Sequence, residues 1–371
     1  MRKTSAILLA AALPMAVQAA NTEFSYNGYV KLDAMFSQYN DGEMTNALGR
    51  DIYVPGATPT GNGDSTNNFH MHAKSSRFGL KAVTTLDDGE KITSVIEMDF
   101  LGSAQGNENV SNSYSPRLRH AFFTYKNLTV GQTWSTFMNV SALPETVDFV
   151  GVMDGTVFAR QPQVRYTTGN LEVALENPAS TVGGTDTNDN SMPDVVARYS
   201  IKSGNSTFTV AGIVREIKVD NATTTPAPDD SEIGFGVNLA GVIKLGADDL
   251  KFSVSHGQLG RYLGFAPAAD ALAVAGTDNI EATDVTSAFV AYRHFWTPQL
   301  RSTVAYSMLE ADYGVANTTN TKSVSSARVN LMYSPTKEVT YGVEYSNAQR
   351  EQDDGDDGSM DRVQFSAQYK F

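Results

Sequence analysis

Counted back from the C-terminus, every second residue of Val363-Gln364-Phe365-Ser366-Ala367-Gln368-Tyr369-Lys370-Phe371 is apolar, and the residues between are polar. A repeat of two is the signature of a β-strand with two unlike faces. The same alternation opens the chain, with Phe24, Tyr26, Gly28, Val30, Leu32, Ala34 and Phe36 set between Ser25, Asn27, Lys31, Asp33 and Ser37. It returns in Ile92, Ile96 and Met98, in Leu171, Val173 and Leu175, in Ile233 to Ile243, and in Val339, Tyr341, Val343 and Tyr345. About sixteen such segments follow one another, most of roughly ten to fifteen residues, the length a tilted membrane strand requires.

The connections alternate in kind. Tight ones rich in Gly, Asn, Asp and Pro are expected at Leu86 to Glu90, Lys126-Asn127, Gly169-Asn170, Gly204-Asn205, Ala247 to Asp249, Pro298-Gln299 and Pro335-Thr336. Long polar ones are expected at roughly 40–67, 102–115, 138–160, 178–192, 218–230, 259–281, 312–320 and 351–360. Short and long in strict turn describe an all-β transmembrane antiparallel barrel of about 16 strands, with periplasmic turns, long outer loops and an inward-folded third loop. Such a barrel has no free edge, so the last strand pairs with the first. A soluble exported sandwich fits less well, because its strands are usually five or six residues long.

Composition narrows the setting. Arg2 and Lys3, an apolar run from Ala6 to Val17 and the small-residue end at Ala19 read as a signal peptide, so residues 1–20 are expected to be cleaved and 21–371 to form the barrel. That places the protein in the outer membrane of a Gram-negative bacterium, in contact with its lipids and lipopolysaccharide. With no cysteine there is no disulfide framework, and a formal charge of −13 argues against a nucleic-acid partner. The five histidines lie in no nucleophile motif, and no Gly-x-Ser-x-Gly elbow occurs, so an enzyme is not expected. His70-x-His72 is a pair without an evident third ligand, so neither a metal nor another cofactor is expected. The acidic run near Asp353 reads as a solvated loop tip.

Alternation also sorts the charges. A charge beside lipid costs several kcal/mol near the midplane, so ions turn to the lumen. Opposite the apolar face fall Arg77, Lys81, Arg117, Arg119, Arg165, Arg198, Arg215, Arg293, Arg301, Arg328 and Arg362. The third loop, Met138 to Arg160, carries Glu145, Asp148 and Asp154. Bases on a wall facing acids on a loop would set a transverse field across a narrow bore. The expected constriction is Arg77, Arg117, Arg119, Arg165, Arg198 and Arg328 with Glu145, Asp148 and Asp154, and Lys81 is expected to line the pore with them. Arginine suits carboxylates because its planar fork makes paired hydrogen bonds. A general or sugar-selective pore is the alternative.

Several stretches resemble a known family. They are Ser76-Arg77-Phe78-Gly79-Leu80-Lys81, Leu118-Arg119-His120-Ala121-Phe122, Val130-Gly131-Gln132-Thr133-Trp134-Ser135-Thr136-Phe137 and Ala291-Tyr292-Arg293-His294-Phe295-Trp296-Thr297-Pro298, followed by Leu300-Arg301-Ser302-Thr303-Val304-Ala305-Tyr306. Together they are similar to the DcaP-like outer-membrane porins over most of the chain. The resemblance implies a sixteen-stranded homotrimer that passes small anionic solutes, notably dicarboxylates. It also implies an N-terminal coiled coil, of which the residues just before Phe24 show no heptad pattern.

Overall fold

Seventeen strand segments close into one antiparallel sheet, and two of them, Thr66–His72 and Arg77–Thr85, both pair with the first strand, so they are halves of one stave and the barrel has sixteen. The computed structural model describes residues 21–61, 63–103, 106–187, 189–220, 229–315 and 319–371, and the expected leader, 1–20, lies outside the described residues. In chain order the staves are β1 (Thr22–Tyr39), β2 (the two halves), β3 (Lys91–Asp99), β4 (Arg117–Tyr125), β5 (Leu128–Trp134), β6 (Arg160–Thr168), β7 (Leu171–Glu176) and β8 (Asp194–Ser203). They continue as β9 (Ser206–Val219), β10 (Asp230–Leu245), β11 (Asp248–Gly257), β12 (Asp284–Phe295), β13 (Leu300–Asp312), β14 (Thr321–Tyr333), β15 (Val339–Gln352) and β16 (Asp357–Lys370).

Closure is complete. β16 pairs with β1 from Tyr29↔Lys370 to Tyr39↔Met360. The last residue extends the ladder: the Phe371 N–H donates to the Gly28 carbonyl at 3.1 Å, and the Gly28 N–H donates back at 3.3 Å. The seam needs glycine at 28. A Cβ there would lie 2.3 Å from the Arg77 carbonyl oxygen and 2.8 Å from the Phe371 ring. Gly28→Val is therefore expected to cost about 1–3 kcal/mol of overpacking, read as a lower unfolding temperature in detergent than the wild-type barrel shows.

The faces sort as alternation predicts. Phe24, Tyr26, Val30, Leu32 and Phe36 lie exposed on the outside of β1, whereas Lys31, Asp33, Met35, Ser37 and Tyr39 are buried inside. The turns fall where expected with one shift: Gly246-Ala247 turns the chain, with Gly246 at φ +69°, and Asp248 and Asp249 already belong to β11. The eighth outer connection differs. β15 runs to Gln352 and β16 starts at Asp357, which leaves a four-residue turn where a long loop was expected. Charges are tolerated on strand ends beyond the hydrocarbon, so Glu351 and Asp357 stay paired and the tip is confined to Asp353, Asp354, Gly355 and Asp356.

The third loop (L3, 135–159) folds inward, as expected, and it is not alone. Its Phe137, Met138, Val157 and Ala159 share a buried apolar cluster with Leu259, Tyr262, Leu263, Ala268, Ala269 and Leu272 of the sixth loop (L6, 258–283). The Phe158 N–H donates to the Tyr262 carbonyl at 2.8 Å, and Gly264 donates to Thr156 at 3.0 Å. On another side Val150 and Met153 of L3 pack with Met44 and Tyr53 of the first loop (L1, 40–65). L3 presses so close to the wall that a Cβ on Gly155 would meet the Ala288 carbonyl oxygen at 2.1 Å. Three loops thus fill part of the lumen.

Candidate functional site

One side of the lumen carries more positive charge than its acids match. Across β3 and β4, Asp99 pairs with Arg117 and Glu97 with His120, with a register shift between Glu97 and Met98. This bulge places one extra residue on β4. Both Arg119 and His120 consequently reach the lumen side, where strict alternation would send His120 to lipid. Arg117 holds Asp99 with two bonds of 2.9 Å. Arg119 bridges Glu97 at 2.8 Å and Asp99 at 2.7 Å. Arg77 on β2 approaches Glu97 at 3.5 Å, and its Nε has no hydrogen-bond acceptor.

Arg160, the first residue of β6, joins them without a carboxylate among the described residues. Its guanidinium lies 4.8 Å from the Trp134 ring centroid and 5.9 Å from that of Phe158, with one terminal nitrogen unbonded. Here four guanidiniums share two carboxylates. L3 presents rings to this wall: Phe149 lies 5.4 Å from the Arg119 guanidinium. Exposure divides the group. The side chains of Arg77 and Arg117 keep 21% and 25% of their surface, whereas Arg119 keeps 2%, so lumen water meets the first two and Arg119 stands behind them. Lys81, toward the turn end of β2, is exposed and has no ion-pair partner among the described residues.

The remaining expected site residues hold L3. Arg165 and Arg198 both bind Glu172, and they reach the loop's entry through the Trp134 carbonyl at 2.6 Å, the Thr136 hydroxyl at 2.8 Å and the Met138 carbonyl. Arg328 donates to Glu344 at 3.2 Å, and Glu344 accepts the L3 backbone N–H of Val147 at 2.9 Å. Arg328 is sealed at 1% side-chain exposure. Glu145 is gripped by Arg301, with bonds of 2.7 and 2.5 Å, and by Arg293 at 2.9 Å. Asp148 accepts the Tyr53 N–H at 3.0 Å, and Asp154 accepts the Tyr53 hydroxyl and those of Ser307 and Ser326.

All three L3 acids therefore point at L1 or at the wall β12 to β16. The structure does not bring them against Arg77, Arg117 and Arg119. Among the described residues the base-rich wall faces aromatic rings and no L3 carboxylate. Two members of this wall escaped sequence reasoning. Arg160 was counted as the end of L3, and His120 was hidden by the bulge; the adjacency Arg119-His120 in a strand that otherwise alternates was the available signal.

The profile of the DcaP outer membrane protein family matches residues 10–371. Among solved structures, the outer membrane channel DcaP of Acinetobacter baumannii is 26% identical, with TM-score 0.78 over 95% of this chain and 98% of that one. An anion-selective porin from Comamonas acidovorans shares the fold at 10% identity, TM-score 0.59, covering 95% and 100% of the two chains. OmpT of Vibrio cholerae, in its trimer form, does so at 13% identity, TM-score 0.53, covering 95% and 100%. A comparison with curated proteins finds no match.

Proposed function

Since the chain belongs to the DcaP outer membrane protein family, and thus to the channels of the Gram-negative outer membrane, we propose that it is a passive conduit preferring small anionic organic solutes, dicarboxylates among them. The reading is of a channel and not an enzyme. The observation that carries it is the wall of Arg77, Arg117, Arg119 and Arg160, which among the described residues has only Glu97 and Asp99 to balance it. Arg77, Arg117, Arg160 and Lys81 are the groups that touch solute. Arg119 adds charge from behind. A planar guanidinium binds a carboxylate through paired bonds, and a molecule with two carboxylates can bridge two such groups. Arg165, Arg198, Arg328, Glu145, Asp148 and Asp154 fix the loop that narrows the bore. Assembly as a homotrimer, removal of residues 1–20 on export and contact with lipopolysaccharide complete the proposal; a trimer form exists for the Vibrio cholerae barrel of the same fold.

Blocking of ion current tests the solute class. Succinate added to a single channel in a planar bilayer is expected to interrupt the current more often than acetate, and a neutral sugar of similar size is expected to have no effect. Interruption by the sugar equal to that by succinate would replace this reading with a general or sugar-selective pore.

A further inference from the structure

A second surplus of positive charge lies across the lumen from the arginine wall and nearer the periplasmic turns. Strand register assembles it. Lys244 on β10 faces Asp249 on β11, and Asp249 faces Arg293 on β12. Lys251 comes two residues after Asp249, and Arg301 on β13 comes two residues before Thr303, the partner of Arg293. A step of two keeps the face of a strand. Leu245, Val254, Tyr292 and Val304, of the opposite parity, are exposed on the outside, so these five charged side chains belong to the lumen. In the closed ring of staves, β10 to β13 stand opposite β2 to β4. The turns at Gly246-Ala247 and Pro298-Gln299 are at most about five residues away, against about nine from Arg77 and Arg117 to theirs. At about 3.3 Å per residue, less the tilt, the patch sits about 10 Å nearer the periplasm.

The acids present do not cancel this charge. Arg293 binds Asp249, and Arg301 grips Glu145 with two bonds. Those pairs neutralise each other, and among the described residues no third carboxylate forms an ion pair here. Lys244 and Lys251 are the surplus. The Lys244 ammonium donates to Asp249 at 3.0 Å, and the Lys251 ammonium donates to the Leu143 carbonyl of L3 at 2.6 Å. An ammonium has three N–H groups, so each lysine has donors to spare. Exposure also favours the cations: Lys244 keeps 37% of its side-chain surface, whereas Asp249 keeps 1% and lies beneath. Lys251 pairs directly with Val242, two residues before Lys244, which makes the two lysines diagonal neighbours. Such neighbours are about 7–8 Å apart at the backbone, within reach of one another for long side chains. Both ammoniums can therefore share one carboxylate.

We propose that Lys244 and Lys251 form a second anion site at the periplasmic end of the lumen, which holds one carboxylate of a small organic acid while Arg293 adds charge beside it. A carboxylate solute meets the arginine wall at mid-height and the lysine pair below it on the far side of the bore. Two such sites, neither closing around the solute, let it enter and leave. The inference rests on the anion-preferring channel proposed above.

Succinate added to one face of a planar bilayer and then to the other gives two frequencies of current interruption. In wild type both are finite. Lys244→Gln removes a charge that holds no part of L3 and leaves Asp249 to Arg293. It is expected to lower the frequency from one face about threefold, the effect of one partly screened unit charge about 5 Å from the ion in water. Lys244→Gln combined with Lys251→Gln lowers it about tenfold, and Lys244→Arg restores the wild-type value. Arg160→Glu lowers the frequency from the other face. A steady open current in Lys244→Gln shows that L3 is in place. Wild-type frequencies from both faces in the double variant, with Arg160→Glu still impaired, would overturn the lysine site and leave the anion reading standing. No interruption of the wild-type channel by succinate from either face would overturn that reading and the site with it.

Discussion

Arg160→Glu collapses the preference for anions by about tenfold in permeability ratio while the barrel folds as before. The size follows from Coulomb's law: a unit charge about 5 Å from a solute ion in water is worth about 0.8 kcal/mol, and reversing it doubles that to roughly the factor stated. Among the four arginines Arg160 is the clean choice because it pairs with no carboxylate among the described residues. Its removal leaves no buried acid stranded. Arg119→Ala would also weaken selectivity, but it would leave Asp99 to Arg117 alone and Glu97 to the looser approach of Arg77, and removing one member of a buried ion-pair network costs up to about 3–5 kcal/mol. A reversal potential close to that of wild type in Arg160→Glu would remove Arg160 from the solute path.

The second large effect is on L3. Glu145→Gln strips two arginines, Arg301 and Arg293, of the carboxylate they share. Glu145 keeps about a quarter of its surface, so the penalty falls below that of a sealed pair, at about 2 kcal/mol. Two guanidiniums then face a loop no longer fastened to them. The expected result is a lower unfolding temperature in detergent with noisier, larger single-channel currents, since L3 moves off the bore. Acid should mimic it. Burial works against the charge of Glu145, but the bonds from Arg301 and Arg293 outweigh it and hold the carboxyl below its ordinary 4.5. A carboxyl depressed by folding contributes stability that is complete above the ordinary value and is lost as pH falls through the folded one. The Glu145 clamp is thus intact at neutral pH and fails only below 4.5.

The barrel was legible in the sequence because lipid imposes a rule on every second side chain. Phe365 and Tyr369 must be apolar where Gln364 and Gln368 need not be, and the same rule turned Arg77, Arg165 and Arg198 inward. The rule stops at the membrane surface. Residues 351–360 looked like a long loop because acids crowd there, yet outside the hydrocarbon a strand carries charge freely, and the ladder persists to Gln352 and resumes at Asp357. It also fails at a bulge, which is why His120 was assigned no face.

Which arginines would be spent on acids could not be read from parity. Asp99 and Glu97 meet Arg117 and Arg119 through the register of neighbouring strands, and Arg293 and Arg301 meet Glu145 across the lumen. These pairings depend on distances of more than a hundred residues along the chain for Glu145 and on a one-residue shift for Arg119. The inward fold of L6 left a fainter trace, the apolar Tyr262-Leu263 and Phe265 within a connection otherwise taken as polar. Tyr53 left none: its grip on Asp148 and Asp154 arises because L1 and L3 enter the same lumen.

The measurement that bears most directly on an unbalanced arginine wall as the selectivity element is the zero-current potential of the wild-type channel under a potassium chloride gradient. The account predicts the sign set by chloride, shrinking when Arg77, Arg117 and Arg160 are neutralised together. A potential set by potassium in the unmodified protein would contradict it.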